Sequence, residues 1–469
     1  MSGFERKAPN QINYNDVLPL AIPSSSNRRK FYPNNGQEFS PDGTNIIRID
    51  VNADSMLDVG HSYLEMEVVQ TTANNRLAMD MGCPMIQRLR IESGGITLED
   101  INEYGRLYAM LEDAQFAPNN YRNEYSVLLG QSDSITKATA GGALANSENV
   151  VDAPRYCSLS ALHSDNAITT ANPRRVAIPL VSALLNCDKY IPLVMCNAGF
   201  TIEITLAPAK AIGIQQDATP ANVKPTWKLK NVSYDAHLVD LDRSFYDALR
   251  AEMAMTGSIA LNGQTWRHYG SNIATGSGSA NVNIPCRQKS IKSIFSTFRD
   301  AKYSIDLLAN YGFYSTSVLQ RQNISQWGYR VGSVAYPQAR IDCSTKDQLA
   351  PTLAEVLKAF GKLGDISTNT CFSKSTFSAN LDGDAGNAGL PDGQPISGQI
   401  IKNFCVGYDC EGFSKTALES GINTAERALP ITLDLDFVAP TANDVVNDNY
   451  VCSDIFFYVN ADGTITPSS

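Results

Sequence analysis

Charge is scarce in this sequence. Asp, Glu, Lys and Arg make up 18% of its 469 residues, against roughly a quarter in an average soluble protein. A weakly charged surface suits large subunit contacts, whose cores are depleted of charge; a loop-rich β protein carrying much Asn, Ser and Thr reaches the same figure. Basic charge is scarcer still. The net charge of −10 argues against broad coating of nucleic acid, which needs Lys and Arg to displace counterions. No apolar run approaches the roughly 18 residues that would span a bilayer, so a soluble protein is expected. Hydrophobic residues still amount to 43%, enough for well-formed cores.

The motifs of enzyme chemistry are missing as well. Four histidines, at 61, 163, 237 and 268, show none of the HxH or HExxH spacings from which zinc sites are built. His237 lies in an alternating segment and reads as ordinary strand lining. There is no GxSxG elbow, no GxxxxGK[ST] phosphate loop and no GxGxxG between a strand and a helix. Asp382-Gly-Asp-Ala-Gly-Asn387 has carboxylates at alternate positions, but position twelve of a calcium loop would be Gly393 where a bidentate Glu is needed. A solvated turn is the better reading. The sequence therefore predicts no enzyme, no cofactor and no metal. With 48 acidic residues, spacing alone does not exclude a carboxylate pair of the glycosidase kind. A carbohydrate-binding or carbohydrate-cleaving sandwich thus stays open as an alternative.

Ten cysteines are scattered without a CxxC pair, and no apolar secretory segment follows Met1-Ser-Gly-Phe-Glu-Arg-Lys. The expectation is synthesis in a reducing compartment, with thiols packed as small hydrophobes.

What the sequence does have is a repeat. Gly199-Phe-Thr-Ile-Glu-Ile-Thr-Leu-Ala-Pro208, a loop, and Lys230–Asp240 return about 230 residues later as Leu429–Pro440, a loop, and Ile455–Thr466. Each copy is an alternating strand closed by Ala-Pro, then a polar loop, then a final strand. Such a period is too long for a solenoid and fits a duplicated β domain.

Around that repeat the chain divides as follows. Residues 1–43 read as an N-terminal arm, with Pro9, Pro19, Pro23 and Pro33 and the Ser24–Asn27 run leaving little room for regular structure. Within residues 1–33, Arg6, Lys7, Arg28, Arg29 and Lys30 outweigh Glu5 and Asp16, giving +3 and leaving −13 for the rest. The first β unit covers 44–241, with strands at Thr44–Val51, Ser62–Val69, Met85–Glu92, Arg175–Leu180, Ile191–Met195, 200–207 and 230–241. A helix is predicted over Leu98–Leu111 from the stripe Ile101, Tyr104, Leu107, Tyr108 and Leu111, and a surface loop over 130–172. Asp242 reads as the N-cap of a bridging helix over 242–256, ended by Gly257. The second unit covers 257–469, with strands at Ala280–Pro285 and Ser290–Phe298. A Thr352-x-x-Glu355 capping box is expected to open a helix, and 379–398 is an exposed loop. The fold class is all-β with a few short helices, in two tandem sandwiches.

The order of these segments resembles the double jelly-roll major capsid proteins of icosahedral double-stranded DNA viruses, in the branch of polinton-like viruses, virophages and adintovirus-like elements. The resembling stretches are Asn45–Val69, Ile86–Leu111, Val176–Leu206, Ser420–Thr424 and Pro430–Phe437. The resemblance implies two eight-stranded jelly rolls and a homotrimeric, pseudo-hexameric capsomer tiling a shell in the virion. It implies penton and minor capsid proteins as partners, and outer loops (130–172, 379–398) facing the host or a neighbouring subunit. It also implies an inward arm whose Arg6, Lys7, Arg28, Arg29 and Lys30 meet genome or an internal membrane. A minor capsid or penton protein, or a shell protein with a single jelly roll, is the structural alternative. The segment 300–350 has no visible counterpart in the first unit.

Overall fold

The computed structural model describes residues 22–468 except 72–74, 79–82, 116–125, 130–135, 139–143, 147–172, 212, 217–225, 302–317, 365–369, 371, 373–376, 379–401, 413–417 and 426–428. Sixteen strands form its frame. The first eight are β1 (Ser24–Phe31), β2 (Ile46–Val51), β3 (Met56–Gln70), β4 (Ile86–Ser93), β5 (Ile96–Asn102), β6 (Arg174–Ile178), β7 (Phe200–Leu206) and β8 (Trp227–Leu241). They make two antiparallel sheets, in the orders β1-β8-β3-β6 and β2-β7-β4-β5.

The second eight are β9 (Ser258–Ile273), β10 (Ser279–Ile284), β11 (Ile291–Asp300), β12 (Ile324–Val331), β13 (Val334–Asp342), β14 (Cys405–Asp409), β15 (Ile431–Phe437) and β16 (Val445–Asn460). Their orders are β9-β16-β11-β14 and β10-β15-β12-β13. Adding eight to every label of the first roll generates the second. Each is a jelly roll of two four-stranded sheets, whose inward alternate residues interdigitate as the core. Short pieces extend these sheets: Glu38–Phe39 pairs with β8, Ile191–Pro192 with β3, and Ile465–Ser468 with β16.

The repeat read in the sequence marks β7 and β15, the second strand of equivalent sheets. Both show the same pattern of burial, with Ile202 and Ile204 matched by Leu433 and Leu435. The counterparts of β4 and β5 lie within 318–350, where none was visible. Both hairpins turn in two residues: Gly94 and Gly95 at φ +55° and +83°, and Gly332 at φ +61° followed by Ser333. Positive φ at the first turn position lets so short a loop follow the strands' twist.

Several expectations need correction. Residues 24–31 are a strand of the first sheet instead of irregular arm, because backbone pairing with β8 needs no apolar side chains; only Phe31 is buried. The helix expected at Leu98 starts later. Residues 96–102 are β5, and the helix α1 spans Tyr104–Gln115. Among the described residues of α1, every one whose burial is defined is buried, so the single stripe understated how enclosed it is. The bridging helix α2 (Arg243–Thr256) has Asp242 as N-cap and left-handed Gly257 as C-cap, whose N–H donates to Met253 O. The helix α3 (Ala350–Ala359) has Leu349 at its N-cap position, with no side-chain cap bond, instead of Thr352. Thr352 lies inside the helix, buried, and its Oγ1 accepts from Trp327 Nε1 at 3.0 Å. The closing segment Ile455–Thr466 is the end of the long strand β16, a turn, and the start of the short return strand. Within 130–172, Thr136–Ala138 pairs with Leu144–Asn146; the rest of that loop, and all of 379–398 with Asp382–Asn387, lie outside the described residues.

Candidate assembly surfaces

The two rolls meet along a polar junction built around α1. From the first roll, β5 brings Glu99, which is 4% exposed. Its carboxylate accepts from Thr265 Oγ1 of β9 at 2.6 Å, from Ala183 N at 3.0 Å and from Ser182 Oγ. Burial pushes the Glu99 carboxyl above the usual range, and those hydrogen bonds oppose the shift. Beside it the backbones come close. A Cβ on Gly263 would stand 2.4 Å from Ala183 O, so β9 needs glycine there. Tyr450 Oη of β16 donates to Glu103 O at 3.1 Å, and Asn197 reaches the turn after β16 through its N–H to Gly463 O at 3.0 Å.

Asp448, also on β16, completes the junction. His268 Nε2 lies 2.9 Å from its Oδ1 and Arg299 Nε 3.2 Å from its Oδ2. Burial alone would raise the Asp448 carboxyl, but Arg299, His268 and Arg106 of α1 together outweigh it and hold the group well below the usual carboxylate range. Neither Glu99 nor Asp448 stands out in the sequence. Charged residues in alternating strands read as a solvated face until a second roll covers them.

The basic residues fall in two places. Arg6 and Lys7 lie outside the described residues. Arg28, Arg29 and Lys30 are on β1, an edge strand whose residues 24–30 are all exposed. Arg28 pairs with Asp235 at 2.8 Å and bonds Tyr63, and Lys30 pairs with Glu65, which Arg175 joins at 2.6 Å. Two of the three are thus held in a charge ladder across the first sheet. Arg29 stacks on Phe31 with its guanidinium 5.0 Å from the ring.

Sites for chemistry are sparse among the described residues. Among the described residues no three His, Cys, Asp or Glu side chains converge as a metal would need. Folding does bring His61 and His237 together, with ring centroids 5.7 Å apart and His61 Nδ1 2.7 Å from Asp58. A groove of about 390 Å³ between the rolls is lined by Tyr108, Trp266, Glu112 and Asp454 among others, aromatics and acids such as a carbohydrate site would use. Asp454 is nonetheless engaged in the fold. It accepts from Ser290 Oγ at 2.8 Å and Glu419 N at 2.9 Å, with Lys292 3.5 Å away. The eight described cysteines are buried, and no helix among the described residues is long and apolar enough to cross a membrane.

No protein-family model and no curated protein matches the sequence. Solved structures do match, over nearly the whole chain. PBCV-1 VP54, as fitted into a reconstruction of the virophage Sputnik, is 12% identical with a TM-score of 0.56, covering 97% of this chain and 99% of that one. The mavirus major capsid protein is 11% identical with a TM-score of 0.53, covering 99% and 95%. The Faustovirus major capsid protein is 10% identical with a TM-score of 0.51, covering 95% and 92%. The fold of this chain is the double jelly roll of such proteins.

Proposed function

We propose that this chain is a major capsid protein, whose product is a shell and not a reaction. The observation that carries this reading is the strand-for-strand duplication: two complete rolls, joined by one helix, with a built polar junction between them. Full-length likeness to viral and virophage capsid proteins supports it. Single-roll shell proteins no longer fit, because the chain holds two rolls. Three copies placing six rolls in a ring would give a nearly hexagonal capsomer, suited to tiling an icosahedral facet around a DNA genome. Neighbouring capsomers, penton and minor capsid proteins are the partners this role requires. The loops 130–172 and 379–398 are proposed to face outward, toward the host.

The purified protein is expected to be a trimer by light scattering from micromolar to nanomolar concentration, with a three-fold hexagonal outline in negative stain. A monodisperse monomer over that range would remove the capsid reading.

The inward arm is proposed for residues 1–21, with Arg6 and Lys7 reaching genome or membrane. Arg28 and Lys30 are engaged in the sheet, so removing 1–33 would cost the first roll a strand. Deletion of 1–21 separates the two roles. It should leave trimers intact and reduce the yield of closed particles, and normal particles from that deletion would reject an anchoring arm.

A further inference from the structure

We propose that the second roll closes on itself through an amide bond between Lys292 Nζ and the Asp454 side chain, with Glu411 carrying the protons. Such a bond lies within one chain and does not depend on the shell-protein reading.

Three neighbouring strands bring the groups together. β11 runs between β16 and β14 in one sheet. Its register against β16 slips at one point: Ile291 faces Ser453 and Ser293 faces Cys452, so Lys292 is the extra residue of a bulge. A bulge re-aims a side chain, and this one leaves the amine between acids from the two flanking strands. Glu411, just past the end of β14, accepts from Lys292 Nζ at 2.5 Å through Oε1. Asp454, on β16, has its Oδ1 3.5 Å from the same nitrogen. All three side chains are enclosed, Lys292 at 8% exposure, Glu411 at 12% and Asp454 at 1%.

A buried lysine needs an acid beside it, and one acid would be enough. Two carboxylates around one ammonium leave an excess of buried negative charge, which is costly. The second acid has a use if the first is a reactant. Burial alone would lower the Lys292 ammonium, but Glu411 and Asp454 outweigh it and hold the group above its usual value. The resting amine is therefore charged, and a base must take its proton before it can react. Glu411 is in contact to do so.

The two oxygens of Asp454 are treated differently. Oδ2 accepts from Ser290 Oγ at 2.8 Å and from Glu419 N at 2.9 Å. Oδ1, on the lysine side, accepts no hydrogen bond among the described residues. Two donors on one oxygen hold the negative charge that develops there when a nucleophile adds to the carboxyl carbon. Oδ1 is then the oxygen that leaves.

The steps balance without a co-reactant. Lys292 gives up one proton, which Glu411 passes to Asp454 Oδ1. The neutral amine adds to Cγ of the resulting carboxylic acid, and charge moves onto Oδ2. Glu411 moves a second proton from the nitrogen to Oδ1, the Cγ–Oδ1 bond breaks, and water departs. Both hydrogens of that water come from the ammonium, and Glu411 ends as it began. Holding the partners in contact replaces collision, with an effective concentration of roughly 10⁵ M or more for well-oriented groups. A groove of about 180 Å³ lined by Lys292, Glu411 and Trp266 among others gives the water a way out.

Intact-mass spectrometry of the denatured full-length chain tests this. The wild type should be lighter than its sequence by one water, and a protease digest should contain one branched peptide joining Lys292 to Asp454. Lys292→Arg keeps a cation and Glu411→Gln keeps the size of the side chain; with folding checked by circular dichroism, both should retain the full sequence mass. The wild-type mass decides the bond whether or not a variant folds. Full mass after prolonged incubation of the folded wild type would overturn the proposal. So would a lost water with no branched peptide, as a succinimide at an Asp-Gly pair such as Asp462-Gly463 would give. A Glu411→Gln chain that links as fast as wild type would overturn the proton-carrying role.

Discussion

Replacing Asp448 by alanine is expected to cost about 3–5 kcal/mol at neutral pH, the range for removing one member of a buried, hydrogen-bonded charge cluster. The residue is 2% exposed, and loss of its side chain would leave Arg299, Arg106 and His268 facing a vacated position at the junction between rolls. The pH dependence has a fixed sign. Asp448 is held below the ordinary range in the folded protein, so its contribution is complete above the unfolded aspartate pKa of about 3.9 and fades as pH falls through and below that value. The gap between wild type and Asp448→Ala should therefore be full at pH 7 and narrow steadily below about pH 4. Urea denaturation of both proteins at several pH values measures it. Equal midpoints at pH 7, or a gap that widens in acid, would show that the cluster does not tie the rolls together.

Trp327→Ala is expected to be comparably severe, at about 3–5 kcal/mol for truncating a buried tryptophan. Trp327 is fully buried on β12, meets Tyr329 edge-on at a centroid distance of 5.9 Å, and donates its ring N–H to Thr352 in α3. Thr352→Val keeps the shape and strands that N–H without an acceptor, for about 1–3 kcal/mol. Thermal melts of the two variants should fall in that order. A Thr352→Val protein as stable as wild type would mean the bond contributes nothing to holding α3.

The same pair shows where sequence reasoning reached its limit. Thr352 followed by Glu355 is a sound capping signature, yet Leu349 holds the N-cap position. Thr352's partner is 25 residues away on a strand that the pattern did not expose. Local rules see neighbours along the chain, and this acceptor is fixed by a contact across the roll. The closing strands β7 and β15 were legible because one face of each is buried and the alternation survives. Strand β1 was illegible for the opposite reason: Ser-Ser-Ser-Asn-Arg-Arg-Lys joins the sheet through backbone pairing and surface ion pairs, with Phe31 its single buried side chain. Helix α2 was readable at both ends, since its cap residues act within a few positions of themselves.

Little of the assembly surface could be read. The candidate arm residues mixed two populations, and the part that was described proved to be sheet. Glu99 and Asp448 carry no mark that separates them from solvated strand acids such as Asp436; only the docking of a second roll gives them their role.

The pairing of Ser24 with Leu241, and of Ser258 with Asn460, has a genetic corollary. In each roll the opening strand runs antiparallel to the closing one, so entry and exit lie side by side at the same end. A gene encoding a lone roll could be copied in frame onto its own tail, and the connector would only have to step from one exit to the adjoining entry. The fourteen residues of α2 are that step. Fusion of this kind would halve the number of chains in the proposed ring of rolls and let the two halves drift apart in sequence.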